Sequence, residues 1–467
     1  MTWNRREVLA SLGVGAAHVL LGCSAPPRGA ARPITETGEV RTWLHDAIAR
    51  LHGAGFTHAR ALAVTRHRTT AALDVLGAGI THARTDGVIL STGSAEFVTT
   101  DLSRPGIDAA VRTLAGTLHA PARIDFGPPP APLPTHRGLA DYELLDRVSH
   151  LAARDTELSS RIVYSAALLE IDEAQVWAVA ANRDLEQRIT RTRTSITRVA
   201  WNGTRPVVSE VARAWAGAPD ANALTDADLA AAREGALLLT TPTAFPDGEH
   251  TVALAPAVTA QLVDTAVRTL LTPAAAHRPE VAQRMAIGRH IAAPLLSLTD
   301  DPLAPKAYGG FAFDDRGEPA TAVPLLNAGQ VVGIVPARRR PGHLGPLAAL
   351  PSHLIVAAGS VAADALLDDG FELDGAVSTF VDPSSDRIVI TAARARERLG
   401  HKRTGRVYAD IELVGELTPL LSAVTALSTE TDSFASHVAA DDLPCWSSIT
   451  APWLRTRGTL RARRRSA

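Results

Sequence analysis

Gly309-Gly310-Phe311-Ala312-Phe313-Asp314-Asp315-Arg316-Gly317-Glu318-Pro319, followed by Pro324-Leu325-Leu326-Asn327-Ala328-Gly329-Gln330-Val331, is the most informative stretch of this 467-residue chain. Short apolar runs alternate with Asp, Asn and Gly. Asp and Asn side chains bond their own backbone, and Gly supplies positive φ, so this text reads as strands joined by turns. The same texture runs from Ile287 onward, with turn sites at Asp300-Asp301-Pro302, Asp314–Gly317 and Asn327-Ala328-Gly329.

Upstream the pattern changes period. Pro256 opens a helix reaching about Leu271, because proline is tolerated in a first turn. A strand, Thr251–Leu254, precedes it, and the Pro/Gly stretch from Thr241 to Glu249 separates it from what comes before. Further back, residues 36–53, Asp108–Leu118, Asp141–Ala153 and Thr225–Gly235 carry helical stripes, with Asp141 and Thr225 as candidate N-caps. Between them lie runs expected to be strands: Ala59–Arg66, Thr69–Leu76, Gly87–Ser91, Arg161–Asp172, Gln175–Ala181 and Arg188–Trp201. The last carries a polar stripe through Arg191, Arg193, Ser195 and Thr197, as if one face were wet, and ends at the hairpin signal Asn202-Gly203. The expected fold is α+β: a mixed helix and antiparallel-sheet region, then a β-rich C-terminal domain with one long helix. Its divisions are an N-terminal domain at 36–126, a Pro-rich linker at 127–134, a central region at 135–240 and a C-terminal domain at 241–467.

Composition narrows the function. With 47 basic against 49 acidic residues the net charge is −2, which argues against a nucleic-acid partner. Two cysteines, Cys23 and Cys445, exclude a disulfide framework. Residues 1–23 read as an export address. Arg5-Arg6 precedes an apolar run too short to span a bilayer, which ends in Leu20-Leu21-Gly22-Cys23, a lipobox-like sequence. Cys23 is then the lipidated residue, residues 24–35 are a tether, and the protein is expected on the extracytoplasmic membrane face. A buried helix with a chance arginine pair is the alternative.

Several chemistries lack their signatures. There is no G-x-S-x-G, no P-loop and no dinucleotide fingerprint. Asp300, Asp301, Asp314 and Asp315 have a density that calcium could use, but turn chemistry is the simpler reading. Arg338-Arg339-Arg340 is the densest internal basic run, a solvated loop or a contact for peptide or partner.

The order of motifs from Pro294 to Val331 resembles the TldD/PmbA family, whose members carry a DD…FDDEG…P…LI.nG.l pattern at the start of the C-terminal domain. Phe380–Asp386 and Ala451-Pro452-Trp453-Leu454 resemble later family segments, so the resemblance extends loosely over 36–460. It implies a peptidase scaffold. In active members a helix bears His-Glu-x-x-x-His, where two His bind zinc and the Glu serves as base. The matching positions here are Asp264-Thr265-Ala266-Val267-Arg268-Thr269, so Asp264, Thr265 and Thr269 replace the three motif residues. None of the 16 His has another within five residues. Cys445 lies near the place of the family's cysteine ligand but is displaced toward the final strand. No metal, cofactor or catalytic residue is therefore expected. The resemblance implies the TldE/PmbA-like branch, a non-catalytic peptide-binding or structural partner of a TldD-type metallopeptidase, in a heterodimer or a homodimer. A stand-alone exported peptide-binding lipoprotein and a self-sufficient peptidase are the alternatives.

Overall fold

The computed structural model describes residues 37–463 except 75–76, 94, 117–139, 155–160, 202–205, 221, 239–243, 279–280, 282–285, 337–349, 383–385 and 441–442. The export segment with Cys23, the Pro-rich linker, the Asn202-Gly203 turn and Arg338-Arg339-Arg340 lie outside the described residues.

The first half builds a six-stranded antiparallel sheet in the order β3-β2-β1-β4-β5-β6. Its strands are β1 (Arg60–Asp74), β2 (Gly77–Ser91), β3 (Glu96–Thr99), β4 (Ile162–Ala180), β5 (Arg183–Trp201) and β6 (Pro206–Ala216). Among the described residues four helices cover one face: α1 (Thr37–Gly53), α2 (Arg104–Ala115), α3 (Asp141–Ala153) and α4 (Asp226–Leu237). Side chains on a strand alternate between faces. On β4 the odd residues Ala167, Leu169, Ile171, Trp177 and Val179 pack under the helices, while the even residues Ala174, Val176 and Ala178 pack on the other side with Ala312 and Phe313. At the end of the strand both faces are dry, which explains the apolar run Val176–Ala180.

The second half is a larger mixed sheet. Its strands are β7 (Gly248–Leu254), β8 (Leu298–Asp300), β9 (Val323–Asn327), β10 (Gln330–Val331), β11 (His353–Val356), β12 (Gly370–Val381), β13 (Arg387–Leu399), β14 (Lys402–Glu416), β15 (Ala426–Ala440) and β16 (Leu443–Ala462). The helix α5 (Pro256–Leu270) packs its apolar face, including Val258, Leu262, Val263 and Val267, into the largest core of the molecule. A short α6 (Leu417–Ser422) closes that core. The expected α+β arrangement, with one long helix in a β-rich C-terminal half, is what the chain adopts. Among the described residues no helix is long and apolar enough to cross a membrane.

Several local expectations need correction. The two runs expected on either side of His67 share one strand, β1 (Arg60–Asp74), and the two expected on either side of Glu173 share one strand, β4 (Ile162–Ala180). The charged interruptions that split them in the sequence answer each other across the ladder. Arg66 and Arg68 reach Asp172 at 2.8 and 3.4 Å. Helix α2 starts at Arg104 rather than Asp108 because Ser103 caps it, its hydroxyl accepting from the Gly106 N–H. The N-cap of α3 is Ala140, whose N–H donates to Glu143; Asp141 is the first helical residue. Thr225 caps α4 as its sequence implies. Asp300 is no turn residue: it ends β8, is buried, and its Oδ1 accepts from the N–H groups of Ser352 and His353 and from the Ser352 hydroxyl. Asp301 and Asp314 do follow turn chemistry, each carboxylate bonding backbone N–H groups just ahead of it.

Candidate functional site

The two sheets meet along the second face of β5. Arg191 donates to the carbonyls of Tyr308 and Gly310 at 2.7 and 3.2 Å, and Gln187 exchanges two bonds with the backbone of Ala312 and Phe313. The Trp446 ring is buried with Arg66 3.4 Å from its centroid and Arg191 4.7 Å from it. Burial pushes the Arg66 guanidinium down to about 10, against the pull of Asp172. The polar stripe of β5 is thus divided. Arg191 lies in a dry seam, and Arg193, two residues on, lines open space.

That open space is a trough beside β15, made of three cavities that share walls. The first, about 870 Å³, lies between β6 and β15 and reaches Lys306, Tyr308, His353, Ser448 and Thr450. The second, about 760 Å³, shares Arg213, Ala214, Thr431 and Asp432 with the first. The third, about 350 Å³, shares Ala257, Ala376, Phe434 and Ala435 with the second and is lined by Asp264. Arg213 marks the division between the first two, paired to Asp432 at 2.6 Å and to Asp228 at 2.7 Å. Cavities of several hundred Å³ with a few placed polar groups suit small molecules or short peptide segments.

The inner wall of the first cavity holds a chain of hydrogen bonds. The Gly309 N–H donates to Ser448 Oγ at 3.3 Å, and Ser448 Oγ lies 2.7 Å from His353 Nδ1. His353 Nε2 lies 3.3 Å from Thr450 Oγ1, which is 2.6 Å from Ser433 Oγ. Burial lowers the titration of His353 below its ordinary range, against the Asp300 and Asp301 carboxylates, so the ring is neutral at pH 7. A neutral ring donates from one nitrogen and accepts at the other. Assigning Nε2 as the donor lets the Ser448 hydroxyl give its proton to Nδ1 and satisfies each of these groups. Gly309 is required at the start of this chain, since a Cβ there would stand 2.1 Å from the Ser352 carbonyl oxygen. Although a serine touches a histidine here, no carboxylate orients the ring, and Ser448 is buried. The arrangement is a hydrogen-bonding wall rather than a nucleophile triad.

At the far end, α5 carries the positions singled out in the sequence. Asp264 Oδ2 accepts from Arg268 Nε at 2.8 Å, one helical turn on. Thr265 is half-buried, and Thr269 is buried with its carbonyl accepting from Arg278. Zinc needs several nitrogen, sulfur or carboxylate donors converging on one point. Two threonines and an aspartate engaged by arginine do not fit that requirement. Among the described residues no three His, Cys, Asp or Glu side chains gather for a metal. Cys445 falls within β16 by its backbone, and its side chain lies outside the described residues.

Residues 247–459 match the PmbA/TldA metallopeptidase C-terminal domain family. The family match thus lies in the C-terminal half of the chain and includes most of the motif stretch that resembles the TldD/PmbA family. A metalloprotease of Synechocystis is 34% identical over 67 residues, a match that spans 14% of either protein. The fold is shared with solved structures along nearly the whole chain. A Bacteroides thetaiotaomicron protein described as a modulator of DNA gyrase superposes with a TM-score of 0.70 at 15% identity, covering 92% of this chain and 100% of that one. A Thermotoga maritima protein of like description gives 0.70 at 14%, covering 90% and 99%. TldE from Thermococcus kodakarensis gives 0.65 at 15%, covering 90% and 100%. The TldD/PmbA motif stretch 294–333 thus frames the seam. Its Gly309–Phe313 segment supplies the carbonyls that Arg191 and Gln187 bind. Lys306, His353, Ser433 and Thr450 were not singled out from the sequence. Each comes from a different segment, and no spacing links them.

Proposed function

We propose that this chain is a zinc-free member of the TldD/PmbA family that binds peptide along the β15 trough and serves as the non-catalytic partner of a zinc-bearing, TldD-type subunit. The observation that carries the reading is the Asp264–Arg268 ion pair on α5, at the position where the family resemblance puts the zinc ligands. An arginine seated on that carboxylate repels a divalent cation. The trough keeps its volume nonetheless, so the proposed role is holding substrate rather than cutting it. TldE from Thermococcus kodakarensis, at a TM-score of 0.65, has the same fold, which is compatible with this reading. The sequence of residues 1–23 supports export with lipidation at Cys23, which would put peptide and partner on the extracytoplasmic side. A reporter fused to residues 1–35 that stays in the cytoplasm would remove that part.

The deciding experiment is elemental analysis of the dialysed chain, paired with a peptidase assay alone and with a co-expressed TldD-type chain. The expected result is zinc well below stoichiometric and hydrolysis only in the mixture. Stoichiometric zinc with chelator-sensitive hydrolysis by the isolated chain would overturn the reading.

A further inference from the structure

The trough changes electrostatic character along β15. In the second cavity every arginine is engaged: Arg193 with Glu210, Arg394 with Asp374, and Arg213 with Asp228 and Asp432. Glu430 adds a further carboxylate to that wall. In the first cavity the balance reverses. Lys306 is exposed on its rim, and no described side chain pairs with it. Its backbone has φ +60, and its carbonyl is held by the Ala216 N–H at 3.0 Å, so β6 fixes the turn that presents it. Arg147 gives one N–H to the Pro219 carbonyl at 3.1 Å, and a guanidinium has five such donors. Asp220 lines the same cavity with one oxygen occupied by the Asn222 N–H.

The inner wall supplies donors as well. The chain from Gly309 through Ser448, His353 and Thr450 ends at Ser433, which lines the cavity. With Nε2 as the donor of His353, the Thr450 hydroxyl gives its proton to Ser433 Oγ, and the Ser433 O–H is left to point outward. An ammonium, a guanidinium and a hydroxyl donor at one end call for a ligand that only accepts hydrogen bonds and carries negative charge. A carboxylate is that ligand.

We propose that the trough is directional: the free C-terminal carboxylate of a bound peptide is seated in the cavity at Lys306, Arg147 and Ser433, with the rest of the peptide running past Arg213 toward α5. The proposal rests on the peptide reading above and adds to it a preference for chain ends over internal segments. The carboxylate-rich second cavity opposes the reverse orientation, because like charges disfavour one another.

The test uses the full chain and a short Gly/Ser/Val peptide tagged at its N-terminus with fluorescein, as the free acid and as the C-terminal amide, read by fluorescence anisotropy. Amidation removes the negative charge, and without that charge-assisted hydrogen bond binding is expected to weaken by about tenfold. Lys306→Met is expected to bring the free acid to the level of the amide, Lys306→Arg to restore part of the preference, and Glu430→Gln to leave it intact. Lys306 is exposed, so these changes leave the core alone. Equal binding of acid and amide, or a preference that survives in Lys306→Met, would overturn the direction while leaving peptide binding standing. Binding of neither form would remove the peptide reading and this proposal with it.

Discussion

Arginine plays two different parts on neighbouring strands of the same sheet. In the seam, Arg191 is buried and bonds backbone carbonyls of the 308–310 segment, with Trp446 beside its guanidinium. In the trough, Arg213 is partly open, bonds two carboxylates, and has cavities on both sides. A carbonyl fixes where a segment of main chain must lie, whereas a carboxylate on a neighbouring element only neutralises charge. Arg191 therefore sets geometry, and Arg213 sets the electrostatic character of a surface.

The sharpest way to break this comparison is Arg191→Ala. It removes the buried donor that holds the Tyr308 and Gly310 carbonyls, and each such bond lost costs about 1–3 kcal/mol. We expect destabilisation of about 3 kcal/mol in chemical denaturation; an effect as small as that of Arg213→Ala would erase the distinction. Next is Gly309→Ala, whose Cβ meets the Ser352 carbonyl at 2.1 Å. Overpacking of this kind costs about 1–3 kcal/mol, and the same denaturation series reads it.

A smaller effect follows from pH. The ordinary histidine value is about 6.5, and burial holds His353 lower in the folded protein. Between those values the unfolded chain binds more protons than the folded one, so stability is present at neutral pH and falls as pH drops below about 6.5. His67 is lowered by burial too and acts with the same sign. Melting curves from neutral to mildly acid pH should show the decline, and His353→Gln should flatten it without abolishing it. The smallest expected effect is that of Asp264→Ala. A half-buried pair one turn apart contributes about 0.5 kcal/mol, so its thermal melt should move little. A large drop would show that the pair supports the fold rather than marking a lost metal position.

Much of the architecture could be read locally. The 3.6-residue stripe and Pro256 define α5, the Thr225 cap defines the start of α4, and the Asp/Gly turns after Ile287 mark the β-rich half. Strand lengths were not readable that way. Arg66, Arg68 and Asp172 look like breaks when each run is read alone, and they become internal partners only when β1 lies beside β4. Gly235 shows the same limit. Read as a helix end, it lies inside α4, where a Cβ would stand 2.2 Å from Arg394 of the other sheet.

The candidate site divides in the same way. The sequence by itself determined that Asp264, Thr265 and Thr269 lie within one helix, because its stripe and Pro256 are local signals. It also determined the α+β class, through periodicities that each element carries alone. Only the tertiary structure decided that Lys306, His353, Ser433 and Thr450 share a cavity wall. Their meeting depends on β6, β11, β15 and β16 being brought together by two sheets. Contacts between distant segments follow from which surfaces pack, and that is a property of the whole chain rather than of any stretch of it.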